Sequence, residues 1–442
     1  MTTPAPSVVG KLQALVRIPT VSDRDRDRVD HEAFDRLLVE LARQFPRLHA
    51  ELELTRVGSH GLLFRWAGAD DSRPVVLMAH LDVVPVEDGW TRPAFDAVVA
   101  DGFVWGRGTL DDKGCVVGIC EAVETLLARG FTPAQDVWLS FGCDEEVMGT
   151  SAQEAVEVLR ARGVSPWFVL DEGGAVAHGA FPGVSTPIAV IGVAEKGVTS
   201  VELRAEGHGG HASTPARMGP TARIARAVMR LERSPFRSSL PAPTVELMRR
   251  MAPHAPPALR PLMANAARIS PVLARALVLA GPESAAMTRT TAAVTTLSGS
   301  PALNVIAATA KAGVNIRIMV GDSVAGVLAH VRKAVGDEHV HLDVIESGEP
   351  SPISPFREDA AFSLLEETIG EVFADAVASP YVMMAATDSR HFTAICERVY
   401  RFAPFRMTKA QRESIHATDE RIGVDDLADG VRWYATLIER IR

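Results

Sequence analysis

The run PVVLMAHLD, residues 74–82, decides how this chain folds. Its first six residues are apolar without interruption, so neither face of an extended segment there could be left to water. Such a segment reads as a strand covered on both sides, the kind found in parallel sheets sandwiched between helices. It ends on His80, with Asp82 two residues further on. Ligands of such sheets collect beyond the carboxyl ends of the strands, so a metal-binding type of side chain at this point directs attention to that edge.

The neighbouring sequence extends the pattern. Apolar residues fall at helical spacing over residues 8–16 and again over 31–44. Gly106-Arg107-Gly108 marks a turn, and residues 113–129 follow as a helix that stops at Gly130, which puts Asp111 where a loop enters a helix. Residues 137–142 read as a strand running into Asp144-Glu145-Glu146, 151–162 as a helix, and 167–170 as a strand running into Asp171. Alternation of this kind specifies an α/β domain, a mostly parallel sheet flanked by helices. After residue 188 the texture changes to the alternating VTSVELRAEG (198–207), a glycine- and histidine-rich turn, a helix over 221–231 and the strand-like AKAGVNIRIMV (310–320). This predicts an inserted α+β domain over 197–317, between two parts of the α/β domain, 1–196 and 318–442. Residues 234–301, rich in proline and alanine and carrying Arg249, Arg250, Arg260, Arg268 and Arg275, read as helices inserted within that second domain. A basic amphipathic membrane contact is one reading of them; a solvated helical face is the one adopted.

Bulk properties narrow the function. A chain of 442 residues, 47% of them hydrophobic, carries enough apolar material for two cores. Its net charge is -9 and it has no basic block to follow a phosphate backbone, which argues against nucleic acid and for small solutes. Cys115, Cys120, Cys143 and Cys396 show no CxxC spacing and fit a reducing compartment. The first residues lack the marks of a leader peptide, and no uncharged stretch is long enough to span a bilayer. The expectation is a soluble, cytoplasmic protein without a membrane partner.

Five side chains of metal-ligand type lie in five separate words: His80 in AHLDVVP, Asp111 in GRGTLDDKG, Glu146 in CDEEVMG, Asp171 in VLDEGG and His416 in SIHATDERI. A shared carboxylate with a histidine and carboxylates on either side is what two close divalent ions require. Each has an ordinary alternative when taken singly: Asp111-Asp112 as a helix cap, Glu145-Glu146 as a solvated acidic turn, Asp171 as a turn cap with Gly173 and Gly174.

Together, in this order, these words resemble the co-catalytic zinc metallopeptidases, the family of aminoacylase, glutamate carboxypeptidase, succinyl-diaminopimelate desuccinylase and carboxypeptidase S. The Asp-Glu-Gly-Gly wording and the helical insertion look closest to the branch holding carboxypeptidase S and the N-fatty-acyl amino acid hydrolases. The resemblance implies that Asp111 bridges two metal ions, zinc foremost with cobalt or manganese as alternatives. It further implies that His80 and Asp171 complete one site and Glu146 and His416 the other, with Glu172 the alternative to Asp171. By the same resemblance Glu145 is the general base, while Asp82 orients His80. GHGGHASTP (207–215) is similar to a lid motif whose histidine, here His211, reaches the partner subunit's site in a homodimer. Asn304 in LNVIA is matched to a residue near the substrate, although Ala307 replaces the usual proline. Arg390 in TDSR is matched to the residue that receives the substrate carboxylate; His391 beside it is read as structural. The implied fold adds a ferredoxin-like lid of two helices on four antiparallel strands. The implied activity is hydrolysis of the amide bond in an N-acyl amino acid or a short peptide with a free carboxylate. A dipeptidase or carboxypeptidase proper, and a non-catalytic binding protein on the same scaffold, are the alternatives.

Overall fold

The computed structural model describes residues 7–180 and 183–442; the first six residues of the stretch read for a leader peptide lie outside them. The decisive run falls in the strand Asp70–His80, whose last seven residues are buried. Successive side chains of a strand point to opposite faces. Accordingly Val75, Leu77 and Ala79 pack into one apolar cluster, with Leu12, Val117, Leu126 and Trp433. Val76 and Met78 enter another, with Ala152, Val156 and Leu159 of the helix Ser151–Ala161. Both faces are therefore covered, which is why the first six residues of the run include no polar side chain. Each such side chain contributes about 1.5–3 kcal/mol by leaving water.

This strand runs parallel to Gln135–Gly142 on one side and Phe168–Asp171 on the other, and Val399–Arg401 continues the parallel order beyond. Antiparallel strands, Glu53–Val57 and Gly61–Trp66, close one margin of the ten-stranded sheet. The carboxyl ends of the central strands, at His80, Gly142 and Asp171, thus open on one edge.

The second domain is a four-stranded antiparallel sheet in the order Thr291–Ser298, Thr309–Ile318, Gly197–Glu206, Val340–Ser347. The helices Pro220–Glu232 and Val324–Val335 share a core with it that includes Leu203, Ile224, Ile316 and Val331. This is the expected lid architecture, but its extent needs correcting. The strand Val340–Ser347 pairs with Gly197–Glu206, so the domain runs to Ser347 rather than to residue 317. The chain returns beside the point where it left: the Ser351 amide donates to the Glu195 carbonyl at 3.1 Å, and the Ser351 hydroxyl accepts from the Glu195 amide at 2.9 Å.

The helical insertion also departs from expectation. It belongs to the second domain in sequence, yet its first helix, Ala242–Met251, packs on the catalytic strand Val377–Met383. Leu247, Met251 and Ala255 share a cluster with Val184 and Ile188. The Arg250 guanidinium donates to the Ala378 carbonyl at 2.9 Å and pairs with Glu366.

Candidate metal centre

His80 is fixed at the end of its strand by two contacts. Its amide donates to Asp112 Oδ2 at 3.2 Å, and its ring Nδ1 lies 3.0 Å from the Asp82 carbonyl oxygen. That leaves Nε2 directed at Asp111 Oδ1, 2.9 Å away. The other oxygen of Asp111 lies 2.9 Å from His416 Nε2, which is also 3.0 Å from Glu146 Oε2. One carboxylate therefore faces a histidine with each of its oxygens. Ligand atoms of His80, Asp111 and Glu146 all fall within 4.8 Å of one another.

Asp82 does more than orient the imidazole. Its carboxylate, fully buried, accepts the amides of Glu145 and Glu146 at 3.2 Å each and so pins the short turn Glu145–Val147 against the strand end. The three acids of the DEE triplet divide accordingly. Asp144 turns away to accept the amides of Thr150 and Ser151 at the start of the next helix, while Glu145 and Glu146 remain on the side of the site.

Glu420 stands four residues after His416 in SIHATDERI, where the pattern assigns it no role. It is buried and accepts from Gly108 N at 3.1 Å, Leu110 N at 2.8 Å and Asp111 N at 3.2 Å, and pairs with Arg107 at 2.6 Å. It ties the loop that carries Asp111 to the loop that carries His416. Removing one charge of such a buried pair costs about 3–5 kcal/mol.

Asp171 and Glu172, the two alternatives at this strand end, have different surroundings. Its carboxylate accepts the Glu172 amide at 2.9 Å and the Ser389 amide at 3.0 Å, and so serves backbone groups. Glu172, the next residue, lines a cavity of about 300 Å³ together with Asp111, Glu145 and His416, and Asp171 is not part of that lining. The turn that follows sets the two acids apart: Gly173 has φ of +111°, and a Cβ on Gly174 would lie 2.1 Å from the Val190 carbonyl oxygen. The chain leaves the strand abruptly and presents the second acid.

The electrostatics are those of too many carboxylates in too little water. Burial, with Asp111, Asp112 and Asp171 nearby, pushes Glu172 well above the ordinary carboxylate range. Burial, reinforced by Asp388, Asp111 and Glu146, does the same to Glu145. Burial also favours the neutral form of Asp111, but the His416 and His80 contacts outweigh it and hold the group low. His416 is drawn up to about 10 by Asp111 and Glu146. Glu146 Oε1 is buried without a hydrogen-bond partner among the described residues. Two histidines, a cluster of acids and an orphaned carboxylate oxygen form a donor set that fits divalent cations.

The other expected residues fall elsewhere. Gly210–His211 pairs with Val305–Ile306, and the Ala212 amide donates to the Asn304 carbonyl at 3.0 Å, so the structure does bring His211 and Asn304 together. Both are exposed, on the second domain, and neither lines the cavity. Arg390 lies in the turn Asp388–Ala394 and donates to the Thr387 carbonyl at 3.0 Å, near the cavity wall at Thr387 without forming it. His391 is held at about 4 by burial. The arginine that does line the cavity is Arg412, which donates to the carbonyls of Met407 at 2.6 Å and His178 at 3.1 Å. It sits in a six-residue helix with no motif to announce it.

A histidine and carboxylate cage at the carboxyl edge of a doubly covered sheet, with a second domain inserted beside it, defines a metal-dependent hydrolase of the two-domain type. Residues 76–440 match the family model for peptidase family M20/M25/M40, and the chain belongs to that family. It is 35% identical over 438 residues to the N-fatty-acyl-amino acid synthase/hydrolase PM20D1 of Xenopus tropicalis, covering 98% of this chain and 85% of that protein. It is 34% identical over 406 residues to a Dictyostelium discoideum protein described as carboxypeptidase S-like 2, covering 89% of this chain and 77% of that one. Among solved structures, the M20 family metallo-carboxypeptidase Sso-CP2 of Sulfolobus solfataricus superposes with a TM-score of 0.70 at 16% identity, covering 98% of each chain. Human carnosine dipeptidase 1 gives 0.69 at 17%, covering 98% of this chain and 95% of that one.

Proposed function

We propose that this hydrolase cleaves the amide bond of N-acyl amino acids whose acyl group is apolar, releasing a carboxylic acid and an amino acid. The observation that carries the reading is Asp111, with His80 on one oxygen and His416 on the other, in the same cavity as Glu145. The cavity wall supports the choice of acyl group: Leu110, Met383, Ala385, Met407 and Ile415 line it beside the acids. The printed activity of the Xenopus relative points the same way.

His80, Asp111 and Glu172 would hold one divalent cation, and Asp111, Glu146 and His416 the other. Zinc suits these donors, and cobalt and manganese are compatible with them. When bound, the pair supplies Lewis acidity toward water and the scissile carbonyl. Glu145 takes the proton of the attacking water and delivers it to the leaving nitrogen as the C–N bond breaks; a buried carboxylate of raised proton affinity suits both halves of that transfer. Arg390 receives the free carboxylate of the substrate from beside the Thr387 wall, where a planar guanidinium can donate two parallel bonds. His211 and Asn304, outside the cavity of their own chain, complete the site of a partner in a two-fold dimer, with His211 donating to the developing oxyanion. The buried free cysteines Cys115, Cys120, Cys143 and Cys396 support a reducing, cytoplasmic setting.

The test is turnover on matched substrates, an N-acyl amino acid against the dipeptide with a free amino end, in protein loaded with defined metals. Preference for the free amino end would replace this reading with a dipeptidase. No hydrolysis of either by the metal-loaded protein would remove it.

A further inference from the structure

From Leu247 to Pro282 the sequence contains five arginines and no aspartate, glutamate or lysine, in a chain whose net charge is -9. Arg249 and Arg250 are paired with Glu246. Arg260, Arg268 and Arg275 are exposed and have no carboxylate partner among the described residues.

The helix Ser270–Ala280 within this stretch is apolar on every side apart from Arg275 and the first residue. Leu273, Ala274 and Leu277 pack inward against Leu240, Met248 and Ala266. Val272, Ala276 and Leu279, spaced four and three apart on the opposite side, face solvent, Val272 at 67% and Leu279 at 88% exposure. A helix that is hydrophobic all round is ordinarily buried all round. The neighbouring helix Arg260–Ala264 adds exposed Leu262, and Leu259 precedes it, also exposed. Single exposed aliphatic residues are common on any protein; a run of them on acid-free, arginine-bearing helices is a different surface.

We propose that the helices Arg260–Ala264 and Ser270–Ala280 rest on an anionic lipid surface. The aliphatic residues would enter the boundary between headgroups and acyl chains, and Arg260, Arg268 and Arg275 would pair with lipid phosphate or carboxylate. A second copy of the chain fits less well, because a two-fold contact of this face with itself would set its arginines against one another. The location gives the contact a use. The insertion is seated on the strand Val377–Met383, and the end of that strand, with Ala385 and Ala386, forms the wall of the metal-site cavity. A lipid surface held there would bring dissolved amphiphiles near the cavity. The docking itself is independent of which amide the site cleaves.

The test is flotation of the full chain with phosphatidylcholine vesicles, with and without about 30% phosphatidylserine, at low salt and at about 0.5 M salt. The expected result is binding to the anionic vesicles alone, weakened at high salt. The double variant Val272→Glu with Leu279→Glu should lower the bound fraction at least about tenfold with no change in melting temperature, since both side chains are exposed. Arg268→Gln with Arg275→Gln should lower affinity by about fivefold for each residue. Absence of vesicle binding, or binding that the variants leave unchanged, would overturn the proposal. So would self-association that the glutamates abolish in a chain that ignores vesicles, which would assign the face to a second copy.

Discussion

The metal cage and the lid turn at His211 are both assembled from distant parts of the chain, but by opposite means. In the cage three of the candidate ligand segments are gripped from behind: His80 by Asp112 and Asp82, the Glu145–Val147 turn by the Asp82 carboxylate, the Asp111 loop by Glu420. At the lid turn, a two-residue ladder and one amide contact hold His211 beside Asn304, and both are open to solvent. The first arrangement draws its groups from one chain and holds most of them by backbone contacts with buried carboxylates. The second has its geometry but no target among the described residues, and the proposed dimer would supply one.

The sharpest way to break that contrast is Glu145→Gln. If the cage is preorganised independently of its base, turnover should fall by about 10²–10⁴-fold while metal content, measured by elemental analysis, stays the same. Parallel loss of metal would show that Glu145 is a ligand. His211→Ala should lower kcat by about 10²–10³-fold and leave metal content and melting temperature untouched. Mixing it with Glu145→Ala chains should restore part of the activity through one intact mixed site; verified subunit exchange without recovery would return His211 to its own chain. Within the cage, Glu172→Ala should remove one of the two bound metal equivalents. Asp171→Asn should only weaken loading, by about 10–100-fold, as loss of a supporting contact does; the reverse outcome would reinstate Asp171 as the ligand. The smallest effect is in protons. With its affinity raised to about 10, His416 is protonated at neutral pH in the metal-free chain, so a cation must expel that proton and loading must strengthen as pH rises toward 10. Calorimetric titration in two buffers of different ionisation enthalpy would detect the release; identical heats would show His416 to be neutral beforehand.

Much of this molecule was legible beforehand where sequence pattern and packing coincide. Residues 74–79 had to be covered on both faces because all are apolar, and the candidate ligands at 80, 111, 146 and 416 stand in words that are ordinary singly and point to one site only in combination. The choice between Asp171 and Glu172 was not legible. Adjacent residues at a strand end point opposite ways, and which one meets the cavity depends on the turn through Gly173 and on Ser389, contributed from more than two hundred residues away. The extent of the lid was missed for a related reason. An amphipathic helix and an alternating strand, such as Val324–Val335 and Val340–Ser347, look the same whichever sheet receives them. The seat of the insertion on Val377–Met383 likewise depends on a partner surface that no local pattern names.

Glu420 clasps the Asp111 amide across 309 residues of chain, and His416, four residues before it, joins Asp111 and Glu146 from the same late segment. The acids are translated early and their histidine and clasp late, so neither stretch holds the cage's geometry without the other.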